Sequence, residues 1–449
     1  MMGSGARSGV ADFLAEAVVR DPEHLALVSP ERAWSYAELD QVVDRRAAEL
    51  ERDGVGAGVV HAVTLQPDTP GIVTLFALWR LGATPAPLNP RLTESERRHA
   101  VETLEGAGPG AQAILWTSGT SGRPRGVALS ADNLRASALA AAARLGLGPD
   151  DVWLASLSVA HVGGIALVTR SLMLGGVLAA WGRFTAASAS ALLDGVQAAD
   201  GTTVRVTHLS VVPTQLLQLL EERRGAPPPR TLRCALVGGA HAPPGLVARA
   251  LGEGWPLALT YGMTETTSQV ATAPPGLVRA KPGTVGRPLE GAELRVAPDG
   301  EILVRGDTLA LGYVGTGTPL RDGEGWYDTG DLGRLDGEGD LWITGRCSER
   351  IVSGGVNVDA HEVEAALCAH PAVRDACVVG LPDERWGEVV GAALVATGGE
   401  VEVGALAEWL REHLSAAKRP RRWVVMASLP LNPNGKVDRG AVRREMLGD

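Results

Sequence analysis

The sequence predicts an α/β protein: a large N-terminal domain of parallel sheets with helices and a β subdomain, then a small α+β C-terminal domain. Three observations carry this. Strand, helix and strand follow one another over 59–88, the rhythm of a parallel crossover. From about Val285 the texture changes to short strands and Gly-rich turns, at 293–296, 301–304 and 341–343. After Gly345 a third texture mixes short strands with helices. The expected divisions are 1–345 for the large domain, 346–350 for a joining segment and 351–449 for the small domain.

The elements follow in order. Val10, Phe13, Leu14, Ala17 and Val18 space as one helical face. Trp34-Ser35-Tyr36 reads as a short strand, and Ser35 caps a helix to about Arg52, with Glu38 as capping-box partner. A strand at 59–65, a helix at 72–81 and a strand within 82–88 come next. The stretch 106–110, Gly-Ala-Gly-Pro-Gly, reads as a bare linker. Apolar runs at 114–116 and 127–129 read as strands around a polar loop, and an Ala-rich helix follows over 132–145. Strands at 152–157, 204–208, 232–237 and 257–260 alternate with helices at 165–174 and 215–222. The small domain reads as a strand at 351–352, helices at 360–369 and 403–414, and strands at 376–380, 392–397 and 422–426.

The 449 residues suffice for two or more domains with a large core. At 45% hydrophobic and 21% charged, the composition is that of a soluble globular protein. A net charge of −10 argues against a nucleic-acid-binding surface but leaves room for a local anion site. Cys234, Cys347, Cys368 and Cys377 form no C-x-x-C pair, so zinc spacing is missing; they read as reduced, mostly buried and cytoplasmic. The N-terminal stretch has no apolar core long enough for a signal peptide. The longest apolar region, 162–181, is interrupted by Arg170 and glycines, which points to buried core rather than a membrane span.

The loop Thr117-Ser118-Gly119-Thr120-Ser121-Gly122, continued by Arg123-Pro124-Arg125-Gly126, suits a polyphosphate. Small residues let backbone N–H groups approach oxygens, hydroxyls donate, and arginine offsets charge. It is not a Walker A loop, whose spacing is absent. Gly238-Gly239-Ala240 and Tyr261-Gly262 end two of the strands, and ligands in open α/β sheets bind beyond such ends.

The loop resembles the phosphate-loop signature of the acyl-adenylate-forming superfamily, which includes acyl-CoA synthetases, peptide-synthetase adenylation domains and luciferases. Ser121 stands where Thr is common, and Arg125 where Lys is usual, exchanging a point charge for a planar fork. Further signatures occur in the superfamily's order: Tyr261-Gly262-Met263-Thr264-Glu265-Thr266, the motif at 327–333 containing Asp331, Gly345-Arg346, Ser353-Gly354-Gly355, and the motif at 433–439 containing Lys436. The resemblance implies an adenylate-forming enzyme fold, with a strand–helix unit missing before Ile114 and the hinge position on Ser348.

The resemblance also implies roles. Gly239 and Ala240 would lie along adenine, and Tyr261 would stack on it beside Gly262. Thr264 would donate to phosphate, and Glu265 would hold Mg²⁺, a cation that prefers carboxylate and phosphate oxygens. Asp331 would accept from both ribose hydroxyls, with Arg346 nearby. Gly354 and Gly355 would line the pantetheine arm of coenzyme A. Lys436 would act as the catalytic lysine, bridging the acid and the α-phosphate.

The implied reaction joins a small carboxylic acid to CoA with ATP, through an acyl-adenylate and rotation of the small domain. The run 261–270, with 211–217 and 161–164, is similar to the o-succinylbenzoate–CoA ligases of menaquinone synthesis. That likeness makes Ser268, Gln269 and His161 acid-binding candidates. Other readings stay open: an aryl or medium-chain acyl-CoA synthetase, a module loading a carrier protein, and a non-catalytic relative. A homodimer is among the open oligomeric states.

Overall fold

The computed structural model describes residues 9–104, 107, 110–117, 125–316, 319–398, 401–432 and 436–448. Contacts divide the chain into two compact units. One holds Met1–His241, Ala250–Leu294 and Val304–Tyr327; the other holds Ala242–Arg249, Arg295–Leu303 and Asp328–Asp449.

The first unit is organised by an eight-stranded sheet. Its parallel centre runs Leu257–Met263, Cys234–Val237, His208–Val211, Val152–Leu154, Val177–Ala179 and Leu25–Val28. Antiparallel strands Ser268–Ala273 and Ala33–Ser35 close its edges. The central strands are buried on both faces, which explains their unbroken apolar runs. Because Cys234–Val237 and Leu257–Met263 are neighbours, the segments 238–240 and 261–266 emerge at the same sheet end. A smaller parallel pair, Val60–Val63 with Thr84–Pro87, is joined across the helix Thr69–Arg80. That helix is capped by Asp68 and buried along almost its whole length. Phe13 and Phe76 pack on its Trp79 at 5.5 and 5.8 Å between centroids.

Sequence reading passed over one element here and misplaced another. Helix Glu94–Thr103, entered by a Thr93/Glu96 capping box, precedes the 106–110 stretch. Only Ala100 of that helix is buried, so it has no apolar period to announce it. Gly106 and Gly108 of the expected linker lie outside the described residues. The strand expected at 204–208 lies at His208–Val211, in register with Val152–Leu154 and Cys234–Val237. Thr203–Val204 pairs instead with Val196–Gln197 in a separate ribbon.

In the second unit residues Asp331–Leu335, within strand Tyr327–Leu335, pair antiparallel with Leu341–Arg346. A five-stranded sheet follows, built around Gly387–Ala396, which pairs with Val373–Asp383, Arg422–Val425 and the hairpin strand Ile351–Ser353. Alternation sorts its faces. Val378, Val390, Ala392 and Leu394 meet helices Ala360–Cys368 and Val403–His413. Cys377, Val379, Val389 and Ala393 pack with Val442, on the helix Arg439–Leu447 that sequence reading passed over. All four cysteines are free; Cys234 and Cys377 are buried, while Cys347 is exposed against the general expectation. Among the described residues no helix is long and apolar enough to cross a membrane.

Candidate active site

The phosphate-loop signature is held by a hairpin. Strands Ala113–Thr117 and Arg125–Leu129 pair antiparallel, with Thr117 opposite Arg125. Gly126 packs closely there, a Cβ coming to 3.1 Å from the Trp116 ring. Ser118, Gly119, Thr120, Ser121 and Gly122 lie outside the described residues, between these two ends. At one end the Thr117 hydroxyl is buried and, among the described residues, has no hydrogen-bond partner, an orphan that a ligand oxygen would satisfy. At the other end Arg125 lays its guanidinium over the Tyr313 ring, 4.3 Å from its centroid.

Tyr313 connects this loop to Glu265. Strand Gly312–Tyr313 pairs with Arg125–Leu129, and the Tyr313 hydroxyl donates to Glu265 Oε1 at 2.9 Å. Tyr327 Oη stands 3.4 Å from Tyr313 Oη. Burial first, then the Glu265 charge, raises both phenols above their ordinary pKa, so both stay protonated. Glu265 is buried, and among the described residues its Oε2 has no hydrogen-bond partner. A cluster of three or more acidic, His or Cys ligands is absent among the described residues. A single open carboxylate oxygen suits Mg²⁺ taken with a nucleotide, where it joins phosphate oxygens and water.

Glu265 sits on a 3₁₀ turn, Thr264–Thr266, between Leu257–Met263 and Ser268–Ala273. Thr267 and Ser268 follow at φ 50° and 87°, left-handed values that side-chain-bearing residues rarely adopt. The Thr266 hydroxyl holds the turn, accepting from Met263 N at 3.0 Å and donating to Ser268 O at 3.0 Å. The strained pair thus sits directly beside the half-satisfied carboxylate. Gly262 crosses Ser268 so closely that a Cβ would collide with its carbonyl. Tyr261 is buried, one strand over from Gly238-Gly239-Ala240, where Gly239 takes φ 78° and Ala240 is exposed.

Gln269 is buried rather than open to solvent. Its Oε1 accepts from Arg170 Nη2 at 2.9 Å, and its amide donates to Thr272 and Thr260 hydroxyls at 3.0 and 3.3 Å. Sequence reasoning missed Arg170 as a functional residue, although a lone charge inside an apolar helix was the available signal. Arg170 is 2% exposed. Among the described residues it has no carboxylate partner, and its Nε is unbonded. Burial pushes its pKa down to about 10. His161 occupies the N-cap position of the same helix, Val162–Leu174, with its Nε2 3.4 Å from Asn89 Nδ2.

In the second unit Asp331 is buried and paired with Arg346 Nε at 2.6 Å, both strands being in register there. Gly354 and Gly355 form the turn of the hairpin Ile351–Ser353/Val356–Val358, at φ 57° and 81°. A Cβ at Gly354 would strike the Trp386 ring. Trp386 is flanked by Arg421 and Arg385 at 4.4 and 5.2 Å from its centroid. Among the described residues neither guanidinium has a carboxylate partner. No motif in the sequence pointed to these three residues, because Arg421 comes from a segment 35 positions beyond the Arg385-Trp386 turn. Lys436 is exposed, on a turn closed by its own backbone to Asn432 and by the bridge Leu431–Val437.

A family model described as AMP-binding enzyme matches residues 14–106 and 111–314, and one described as AMP-binding enzyme C-terminal domain matches 362–436. The 2-succinylbenzoate–CoA ligase of Bacillus cereus (strain Q1) is 32% identical over 480 residues, spanning 96% of this chain and 98% of that protein. The structure of o-succinylbenzoate CoA synthetase (MenE) from Bacillus subtilis in complex with the acyl-adenylate intermediate OSB-AMP matches at TM-score 0.87 and 30% identity, covering 96% of this chain and 98% of that one. The same enzyme in complex with ATP and magnesium ion matches at TM-score 0.85, 30% identity and the same coverage. With both models matched in order and relatives aligned over nearly the full length, this chain belongs to the AMP-binding enzyme family.

Proposed function

We propose that the chain is an ATP-dependent acid–CoA ligase acting on o-succinylbenzoate through an acyl-adenylate. The observation that carries the choice of acid is Arg170. A buried guanidinium bonded to one neutral amide is costly unless an anion joins it. An acid with a second carboxylate beyond the reacting one supplies that anion, and the family relatives act on such an acid.

In this reading the Thr117–Arg125 hairpin and Thr264 bind the triphosphate. Asp331 accepts from the ribose hydroxyls, and Lys436 offsets charge as the acid's carboxylate attacks the α-phosphate and pyrophosphate leaves. Glu265 would hold Mg²⁺, whose charge favours the phosphate oxygens' approach to the acid. The thiol of CoA then displaces AMP. Residues 346–350 serve as the hinge for the exchange, and Ser268 and His161 flank the acid. Trp386 with Arg385 and Arg421 suits the nucleotide end of CoA, an aromatic face between two cations, beside the Gly354-Gly355 turn. The free cysteines fit the cytoplasm, and a homodimer, read by mass in solution, completes the proposal.

The test is AMP release with ATP, Mg²⁺, CoA and a panel of acids. The expected result is CoA-dependent release with o-succinylbenzoate far above benzoate, succinate and octanoate, abolished in Lys436→Ala. Turnover of another acid instead would keep the reaction and discard the substrate.

A further inference from the structure

We infer that Tyr313 is a positioning residue that aims Glu265 at the metal–nucleotide complex. The inference rests on the metal role proposed for Glu265. Three observations converge on this one ring. Its hydroxyl donates to Glu265 Oε1 at 2.9 Å, leaving Oε2 without a partner among the described residues. Its face carries the Arg125 guanidinium at 4.3 Å. Its strand is paired in register with the strand that begins at Arg125, Tyr313 lying opposite Val127. The phosphate-loop arginine and the candidate metal carboxylate thus share one rigid support. A carboxylate free to rotate would present either oxygen or both; a donor on Oε1 fixes the plane and leaves Oε2 to the cation.

The backbone supports the same geometry, since Ala310 N donates to the Glu265 carbonyl at 2.8 Å. The phenol is suited to the task. It is half-buried, and its hydroxyl donates to the carboxylate at 2.9 Å. Arg125 fits where a lysine would serve the ring less well, because a planar guanidinium can stack on the aromatic face. Tyr327 is bonded to Tyr313 and, among the described residues, makes no hydrogen bond to Glu265, which makes it the natural comparison.

Tyr313→Phe keeps the ring under Arg125 and removes only the donor. The probe is Mn²⁺ with ATP, its binding to the full chain read by water-proton relaxation, without turnover. Wild type, Tyr313→Phe, Tyr327→Phe and Glu265→Gln are compared, with melting curves on each. Tyr313→Phe should weaken Mn²⁺ in the ATP complex about tenfold, the usual effect of losing a hydrogen bond that orients a metal ligand. Its ATP affinity without metal and its melting temperature should stay at wild-type values, and Tyr327→Phe should change metal affinity far less. Wild-type Mn²⁺ affinity in Tyr313→Phe, or equal losses in both tyrosine variants, would overturn the inference. If Glu265→Gln itself binds Mn²⁺ like wild type, the metal role of Glu265 fails first, and the inference with it.

Discussion

Two arginines, the buried Arg170 of the first unit and the part-buried Arg439 of the second, meet the same electrostatic problem in opposite ways. Arg439 opens the last helix and is fully engaged. It takes both oxygens of Glu364 at 2.5 and 3.0 Å, one oxygen of Glu349 at 3.1 Å and the Val378 carbonyl at 2.8 Å. Burial would lower its pKa, but the two carboxylates outweigh that and hold it charged. Arg170 is more deeply buried, yet it meets one amide oxygen, the Trp153 face at 5.1 Å, and no carboxylate among the described residues. On the reading proposed above, Arg439, completed by the protein, serves the fold, whereas Arg170, left incomplete, takes its partner from the acid.

The largest effect should fall on Arg439. Arg439→Met strands the Glu364 carboxylate in the interior and should cost about 3–5 kcal/mol of stability, read as a lower urea midpoint of the second unit. Adding Glu364→Leu should return much of that loss, because an apolar pair can replace a buried ion pair. A double variant as unstable as the single one would break the view that Arg439 is self-contained within the fold.

Arg170→Met should behave in the reverse sense. Removing an unpaired buried charge should leave stability unchanged or raise it by about 1 kcal/mol, while KM for o-succinylbenzoate rises some 30- to 160-fold, the equivalent of about 2–3 kcal/mol. If Arg170→Met melts as early as Arg439→Met and leaves KM alone, the contrast is void and Arg170 is one more structural arginine.

This contrast also marks how far the sequence could be read. Local signals were strong where one residue type decides a conformation. Ser35 and Glu38 form the expected capping box, and Gly354-Gly355 form a turn at positive φ. The crossover 59–88 is parallel as its rhythm required. Helix Glu94–Thr103 was lost because a solvated helix carries almost no apolar period, and His208–Val211 was misplaced because its register is set by strands distant in sequence. In the site, motif residues such as Glu265 and Asp331 could be named in advance. Arg170, Tyr313 and Trp386 could not, because their meaning lies in partners 99, 48 and about 30 positions away, which no local spacing reveals.

The smallest effect sharpens the same comparison through a neighbour. His208 stacks on Trp153 at 4.7 Å, on the ring that also carries Arg170. Burial first, and then the Arg170 charge, push its pKa down to about 4 from 6.5. Asp151, 3.4 Å from its Nδ1, is already paired with Arg233 and does not reverse this. A depressed histidine is neutral in the fold and charges more readily when unfolded. Its contribution is therefore complete above about pH 6.5 and is lost as pH falls from there toward 4, up to roughly 3 kcal/mol. Urea midpoints measured from pH 8 to pH 4 should show that limb in wild type, and His208→Gln should flatten it. Arg170→Met should make it shallower, because one of the two causes is gone while burial remains. Equal limbs in wild type and Arg170→Met would mean that the Arg170 charge is already compensated in the free protein, which would remove the physical ground for assigning it to the acid.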